Sequence, residues 1–388
     1  MNDTPSSSGL PPRSRFAPRG RLPCSPVSNA TVPGFTNIRL CSDSAEAGLV
    51  SAADYLSLPR SGWTSGRYDI LALSGGAAGG AFGAGAITGW SETGTRPEFA
   101  LVTGVSTGAL IAPLAFLGPA WDHKLKEAYT GGYAQRLLSP RRVAAPFSGG
   151  LLSGRSLDDL VAPFVDAELI KAVVAEHARG RRLLVTTTDL DRQEPSIWDM
   201  GAIASHGGEE ALSLFRDVLV ASASLPGLFS PRRIVTEYEG QRYEEMHVDG
   251  GVVSPLFLMP TALMQWQHLG RRLRGGRVHV LINTVLEPVA RATAPNLPAV
   301  MTRSFEAMLR FTYRQALTTA TTLCAARGIP LKVASIPPDK DHGNALNFET
   351  VAMAKLFEAG RESAASNQLW TTAVAPTGFG RWKDHLLG

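Results

Sequence analysis

Ser106 sits at the centre of Gly104-Val105-Ser106-Thr107-Gly108, between the apolar run Leu101 to Val105 and a second run, Ala109 to Leu117. A serine at a strand-to-helix turn projects its hydroxyl clear of a sheet only in a strained backbone conformation, in which side chains two residues to either side would collide. Gly104 and Gly108 remove those side chains. A helix starting at Thr107 would aim its amide dipoles at the same point, favouring negative charge on an attacking oxygen or a substrate. The pattern G-x-S-x-G arises by chance in glycine-rich chains, and this one has 39 glycines. The strand before it and the helix after it are what predict a nucleophile rather than a structural turn.

A second stretch, Leu73-Ser74-Gly75-Gly76-Ala77-Ala78-Gly79-Gly80-Ala81-Phe82-Gly83, follows an apolar strand and leads into a helix. Its small residues let backbone N–H groups approach a ligand oxygen, so the loop suits the anion of a tetrahedral intermediate or a phosphate. A dinucleotide site fits less well, because the next strand ends in the candidate nucleophile and no acidic residue closes a second strand about twenty residues on.

A triad would need a histidine, and the eight present are His123, His177, His206, His247, His268, His279, His342 and His385. His279 lies within an apolar strand, as a core histidine would. His247 is the best imidazole candidate, two residues before Asp249 and so on the same strand face. The alternative is Asp249 itself, which ends a short strand ahead of Gly250 and Gly251 and could take the serine proton directly as a carboxylate raised by burial.

The elements that must position these groups alternate strand, Gly-rich loop, helix, strand, sharp turn, helix, as in an α/β domain with a mainly parallel sheet. Strands are expected over residues 68–73, 99–105, 182–188, 245–248, 277–283 and 330–336. Helices are expected over 82–90, 107–116, 209–223, 260–268, 304–326 and 348–365. Residues 1–60 are rich in Ser and Pro and predict a flexible arm; residues 61–388 predict one domain, without internal repeats.

With 388 residues, 44% of them hydrophobic, the chain has ample material for a core. Its net charge of +4 does not point to nucleic acid and is compatible with peripheral contact with an anionic membrane. Cys24, Cys41 and Cys324 match no zinc spacing, a Cys24–Cys41 bridge being the one pairing open. No apolar run is long enough for a membrane span or a secretory signal, so the expected location is cytoplasmic or at a membrane periphery.

In order and spacing these pieces resemble the patatin-like phospholipase family: the Gly-rich loop, Gly104 to Gly108 about thirty residues later, and Asp249-Gly250-Gly251 far downstream. Thr186 to Asp191 followed by Ile197 to Gly201, and the block Ala221 to Pro231, look like those of bacterial members. The resemblance implies a three-layer α/β/α sandwich and a serine carboxylic-ester hydrolase acting on acyl lipids through a Ser106–Asp249 dyad without catalytic histidine. It places the oxyanion hole on Gly75, Gly76, Ala77 and Ala78 and requires no metal or other cofactor. The family loop reads Gly-Gly-Gly and then carries Arg or Lys, whereas here those positions are Ala77 and Gly79, which removes a cation from the expected phosphate end. An acyltransferase or thioesterase with the same dyad, or a catalytically silent lipid-binding protein, are the alternatives. Asp189, Asp191 and Asp199 read as strand-end and loop hydrogen-bonding residues.

Overall fold

The computed structural model of the chain describes residues 22–25, 27, 30–40, 67–138, 150–152, 155–259, 273, 275–287, 290, 292–340 and 346–372. In chain order the strands are β1 (Arg39–Leu40), β2 (Ile70–Leu73), β3 (Leu101–Val105), β4 (Gly150–Leu152), β5 (Arg182–Asp189), β6 (Glu194–Asp199), β7 (Gly227–Phe229), β8 (Arg232–Tyr238), β9 (Gln241–Asp249), β10 (Val278–Ile282), β11 (Leu331–Ser335) and β12 (Thr371–Thr372). The helices are α1 (Gly80–Glu92), α2 (Thr107–Leu117), α3 (Asp122–Thr130), α4 (Arg155–Val161), α5 (Ala167–Ala178), α6 (Met200–His206), α7 (Gly208–Ala223), α8 (Leu297–Arg327) and α9 (Thr350–Ala365).

Strands β5, β3, β2, β10 and β11 lie side by side in that order, all parallel. Antiparallel β6 and β1 extend one edge and β12 the other. Every residue of β2, β3 and β10 is buried, as a parallel sheet covered on both faces requires. Alternation divides their side chains between two cores. Leu71, Leu73, Val102 and Leu281 join residues of α1, α2, α5, α7 and α9, such as Phe82, Phe116, Val173, Phe215 and Phe357. Ile70, Ala72, Leu101 and Val280 join Leu256 to Met259 and the inner side of α8, where Tyr313, Ala320 and Cys324 lie. The architecture is therefore a three-layer α/β/α sandwich with a mainly parallel central sheet. Among the described residues, no helix is long and apolar enough to cross a membrane.

Part of the expected flexible arm belongs to this fold. Ala30, Val32, Phe35 and Ile38 are buried, Thr31 bridges Glu237, and β1 pairs with β6. The apolar residues of this stretch gain a sheet edge and a core to cover, which composition alone does not show; residues 1–21 and 41–66 lie outside the described residues. So do the helix expected over 260–268 and Cys41, while Cys24 is a free, exposed thiol.

Helix α8 starts seven residues earlier than expected, because Asn296 accepts from the Ala299 N–H at 3.0 Å and a proline occupies the first turn. Strand β9 also begins earlier than expected. It forms a hairpin with β8 across Glu239 and Gly240, both with positive φ.

Candidate active site

β3 pairs with β5 as far as Val105, opposite Thr186. There β3 ends and the chain turns into α2. The next positions along β5 are taken by β9 from the opposite direction, with Asp249 opposite Thr187. Two strands from distant parts of the sequence therefore share one edge of β5 end to end, and Ser106 and Asp249 stand at their junction. The Ser106 hydroxyl donates to Asp249 Oδ2 at 2.5 Å.

Ser106 has φ 56° and ψ −126°, the strained turn that its flanking glycines anticipate. A Cβ on Gly104 would lie 2.6 Å from the Gly108 carbonyl oxygen, and one on Gly108 would lie 2.4 Å from that of Leu73. The strain is held from outside the motif. Ser106 N–H donates to Ser222 Oγ at 3.0 Å, and that hydroxyl donates to the Thr186 carbonyl at 2.7 Å, tying the turn to β5. Tyr129 OH donates to the Thr107 carbonyl at 3.1 Å and fixes the first residue of α2.

Asp249 is buried, and loss of solvent raises its carboxyl from the ordinary 3.8 to about 6, although the Ser106 hydroxyl and the Gly251 N–H, at 2.7 Å, favour the charged form. Its backbone is fixed on both sides: its N–H donates to the Ser224 carbonyl and its carbonyl accepts from Thr188 Oγ1, each at 2.9 Å. A Cβ on Gly250 would fall 2.3 Å from the Thr186 carbonyl oxygen, so the chain leaves the acid through the one residue that fits.

The Gly-rich loop leaves β2 beside this pair. Asn283, just past β10, anchors it, donating from Nδ2 to the Ser74 carbonyl at 2.7 Å and from its N–H to Ser74 Oγ at 2.9 Å. Of the amides expected to form the oxyanion hole, that of Gly75 donates to the Pro255 carbonyl at 3.1 Å. Ala77 takes a positive φ of 50°, where a glycine would sit without strain. The departure at Gly79 also has a local reason: a Cβ there would lie 2.1 Å from the Asn283 carbonyl oxygen.

The loop, Ser106 and Asp249 open onto one cavity of about 290 Å³. Its walls are aliphatic along α2, α4, α7 and α9, with Leu110, Leu160, Leu219 and Leu356 among them, and aromatic at Phe164 just past α4, while Arg303, Glu306, Arg310 and Tyr313 of α8 line it as well. Such a space accommodates an alkyl chain with its polar end at the hydroxyl.

The remaining sequence candidates are occupied elsewhere. His247 is fully buried and tied to Glu245 and Thr187 at 3.1 and 3.0 Å. Trp198 Nε1–H donates to the Thr187 hydroxyl, and His247 Nε2–H donates to the Glu245 carboxylate. His279 packs against Trp90, Phe99 and Trp370, and burial lowers it to about 4. Asp189 closes a turn by accepting from Asp191 and Arg192, and Asp199 caps α6. Cys324 is buried and raised to about 11 by desolvation. Ser222, Asn283 and Tyr313 are the site residues that sequence reasoning missed; Ser222 lies in the Ala221 to Pro231 block, the one signal that touched them.

Residues 71–262 match the family model of patatin-like phospholipase. Among solved structures, the chain is similar to the crystal structure of VipD from Legionella pneumophila, at 13% identity and a TM-score of 0.36, covering 79% of this chain and 68% of that one. It is also similar to human GIVD cytosolic phospholipase A2, at 12% identity and a TM-score of 0.34, covering 81% of this chain and 54% of that one. No curated protein matches the sequence.

Proposed function

Since the chain carries a patatin-like phospholipase domain over residues 71–262, a domain of lipid hydrolases, we propose that it cleaves acyl lipid esters with Ser106 as nucleophile and Asp249 as base. The observation that carries this reading is the 2.5 Å hydrogen bond from Ser106 to Asp249 at the head of an apolar cavity. As Ser106 Oγ attacks the ester carbonyl carbon, its proton passes to Asp249 Oδ2 and the carbonyl oxygen becomes an oxyanion. The amides of Gly76, Ala77 and Ala78 are assigned to that oxygen, with the N-terminus of α2 adding favourable potential. Collapse of the intermediate breaks the bond to the alcohol, which leaves with the proton held by Asp249. Water, deprotonated by Asp249, then attacks the acyl-serine and releases the fatty acid.

Peripheral membrane contact belongs to the same reading. Helix α8 lines the cavity on one side and leaves Leu297, Met301, Met308 and Phe311 exposed on the other, each at least 62% accessible. Sedimentation with anionic vesicles checks this; a protein that stays in the supernatant refutes it.

The test of the activity is fluorophosphonate labelling of Ser106 together with ester hydrolysis by Ser106→Ala and Asp249→Asn. Labelling confined to Ser106 and loss of hydrolysis in both folded variants are expected. Retained hydrolysis in both removes the dyad, an absence of labelling favours a silent lipid-binding protein, and product analysis with an added alcohol or thiol separates hydrolase from transferase.

A further inference from the structure

Arg303, Glu306 and Arg310 of α8 are charged residues along the cavity wall that the reaction does not use. Arg303 Nη1 bonds Glu306 Oε2 at 3.1 Å, one helical turn away, and the two charges largely cancel. Arg310 has no ion-pair partner among the described residues, and its Nε is buried without a hydrogen-bond partner. A buried donor of a charged group is costly to leave unpaired, and an anion entering the cavity would satisfy it.

The position relative to the nucleophile is informative. A Cβ placed on Gly75 would lie 3.0 Å from the Tyr313 hydroxyl and 3.1 Å from Ser106 Cβ, so the Tyr313 side chain reaches from α8 to the Gly-rich loop beside the nucleophile. Arg310 precedes Tyr313 by three residues on the same helix face, about 4.5 Å along the axis. In a glycerophospholipid or its lyso form the phosphate is a few bonds from the acyl carbonyl, a comparable span. The loop cannot supply a cation at Gly79, where the Asn283 carbonyl fills the space a side chain would need.

We infer that Arg310 forms the anion subsite of the cavity and selects acyl esters whose head group carries a phosphate. Its guanidinium offers paired N–H donors to phosphate oxygens, with Nε among them, while the acyl chain runs down the aliphatic wall. Glu306, on the same face, is kept from opposing the anion by its pairing with Arg303. The catalytic consequence rests on the function proposed above; the binding consequence does not.

The test therefore has two arms. In the first, kcat/KM is measured for lysophosphatidic acid and a monoacylglycerol of the same chain, with wild-type enzyme, Arg310→Met and Arg310→Lys. The ratio of phosphate-bearing to neutral substrate is expected to fall about tenfold or more in Arg310→Met and less in Arg310→Lys, the size of a lost charge-assisted hydrogen bond. In the second, calorimetric titration uses the ether analogue of lysophosphatidic acid and the matching alkylglycerol, neither of which has an ester to cleave. The phosphate ether is expected to bind wild type about tenfold tighter than the alkylglycerol, and that preference to vanish in Arg310→Met.

A substrate ratio unchanged by Arg310→Met, or equal affinity of wild type for the two ethers, overturns the inference. Displacement of the phosphate ether by equimolar inorganic phosphate would make this a site for the free anion and overturn the lipid assignment. Absent turnover of both esters together with a phosphate preference lost in Arg310→Met would refute the hydrolase and leave the subsite standing.

Discussion

Asp249→Asn separates what the acid does for the reaction from what it does to the fold. The carboxyl is raised from 3.8 to about 6 because it is buried, so its ionised form is held in the native state at a cost absent from the unfolded chain. At 1.36 kcal/mol per tenfold, that difference corresponds to about 3 kcal/mol. Between the unfolded and folded values the native state binds the extra proton, so stability falls as pH rises through about 4 to 6 and the full cost is present above 6. An asparagine keeps the Oδ1 acceptor for the Gly251 N–H and presents an amide N–H to Ser106 Oγ. It removes the charge without leaving either partner unpaired.

Urea denaturation at pH 7.5 is therefore expected to show Asp249→Asn more stable than wild type by up to about 3 kcal/mol, the gain disappearing near pH 4. Ester hydrolysis should drop about 100- to 10,000-fold, the range of a lost general base. Wild-type kcat/KM should rise with pH through about 6 and level off as Asp249 ionises. A variant no more stable than wild type at pH 7.5, or a gain of equal size at pH 4, would refute the account of the buried acid.

Ser222→Ala leaves the Ser106 N–H and the Thr186 carbonyl without their shared partner and should cost about 1–3 kcal/mol of stability in denaturant titration, with slower fluorophosphonate labelling of Ser106. Ala77→Gly relieves the positive φ of 50°, and thermal unfolding should show a gain of about 0.5 kcal/mol after the extra freedom of the unfolded glycine is counted. Gly79→Arg, which restores the cation of the family loop, should lower hydrolysis of phosphate-bearing and neutral esters alike, since its Cβ would meet the Asn283 carbonyl oxygen at 2.1 Å. An equal fold loss on the two substrates, leaving their ratio at the wild-type value, checks it.

The elements that carry the chemistry were legible because their signals are local. Gly104 and Gly108 are dictated by a turn a few residues long, and β2 and β3 announce themselves as unbroken apolar runs. Asp249 was legible as the end of a strand, but its meeting with Ser106 depends on both strands lying along β5, and only the family spacing pointed there. Ser222 and Asn283 were invisible for the same reason: their partners, Ser106 and Ser74, are 116 and 209 residues away. The β8–β9 hairpin escaped because Glu239-Gly240 lacks the Asn or Asp that usually marks such a turn. Residues 30–40 escaped because burial there comes from the partner surface rather than from any periodicity of their own.

The end-to-end arrangement of β3 and β9 along β5 has a consequence for how such a protein tolerates change. Alcohol and acid take their separation from adjacent backbone pairs on a single strand, and the intervening chain between Thr187 and Asp249 does not measure it out. Peptides grafted into the exposed β8–β9 turn at Glu239 and Gly240 can lengthen that route without altering the alignment. Lengthening β5 by one residue ahead of Thr187 shifts the ruler itself, and alcohol and acid lose their match.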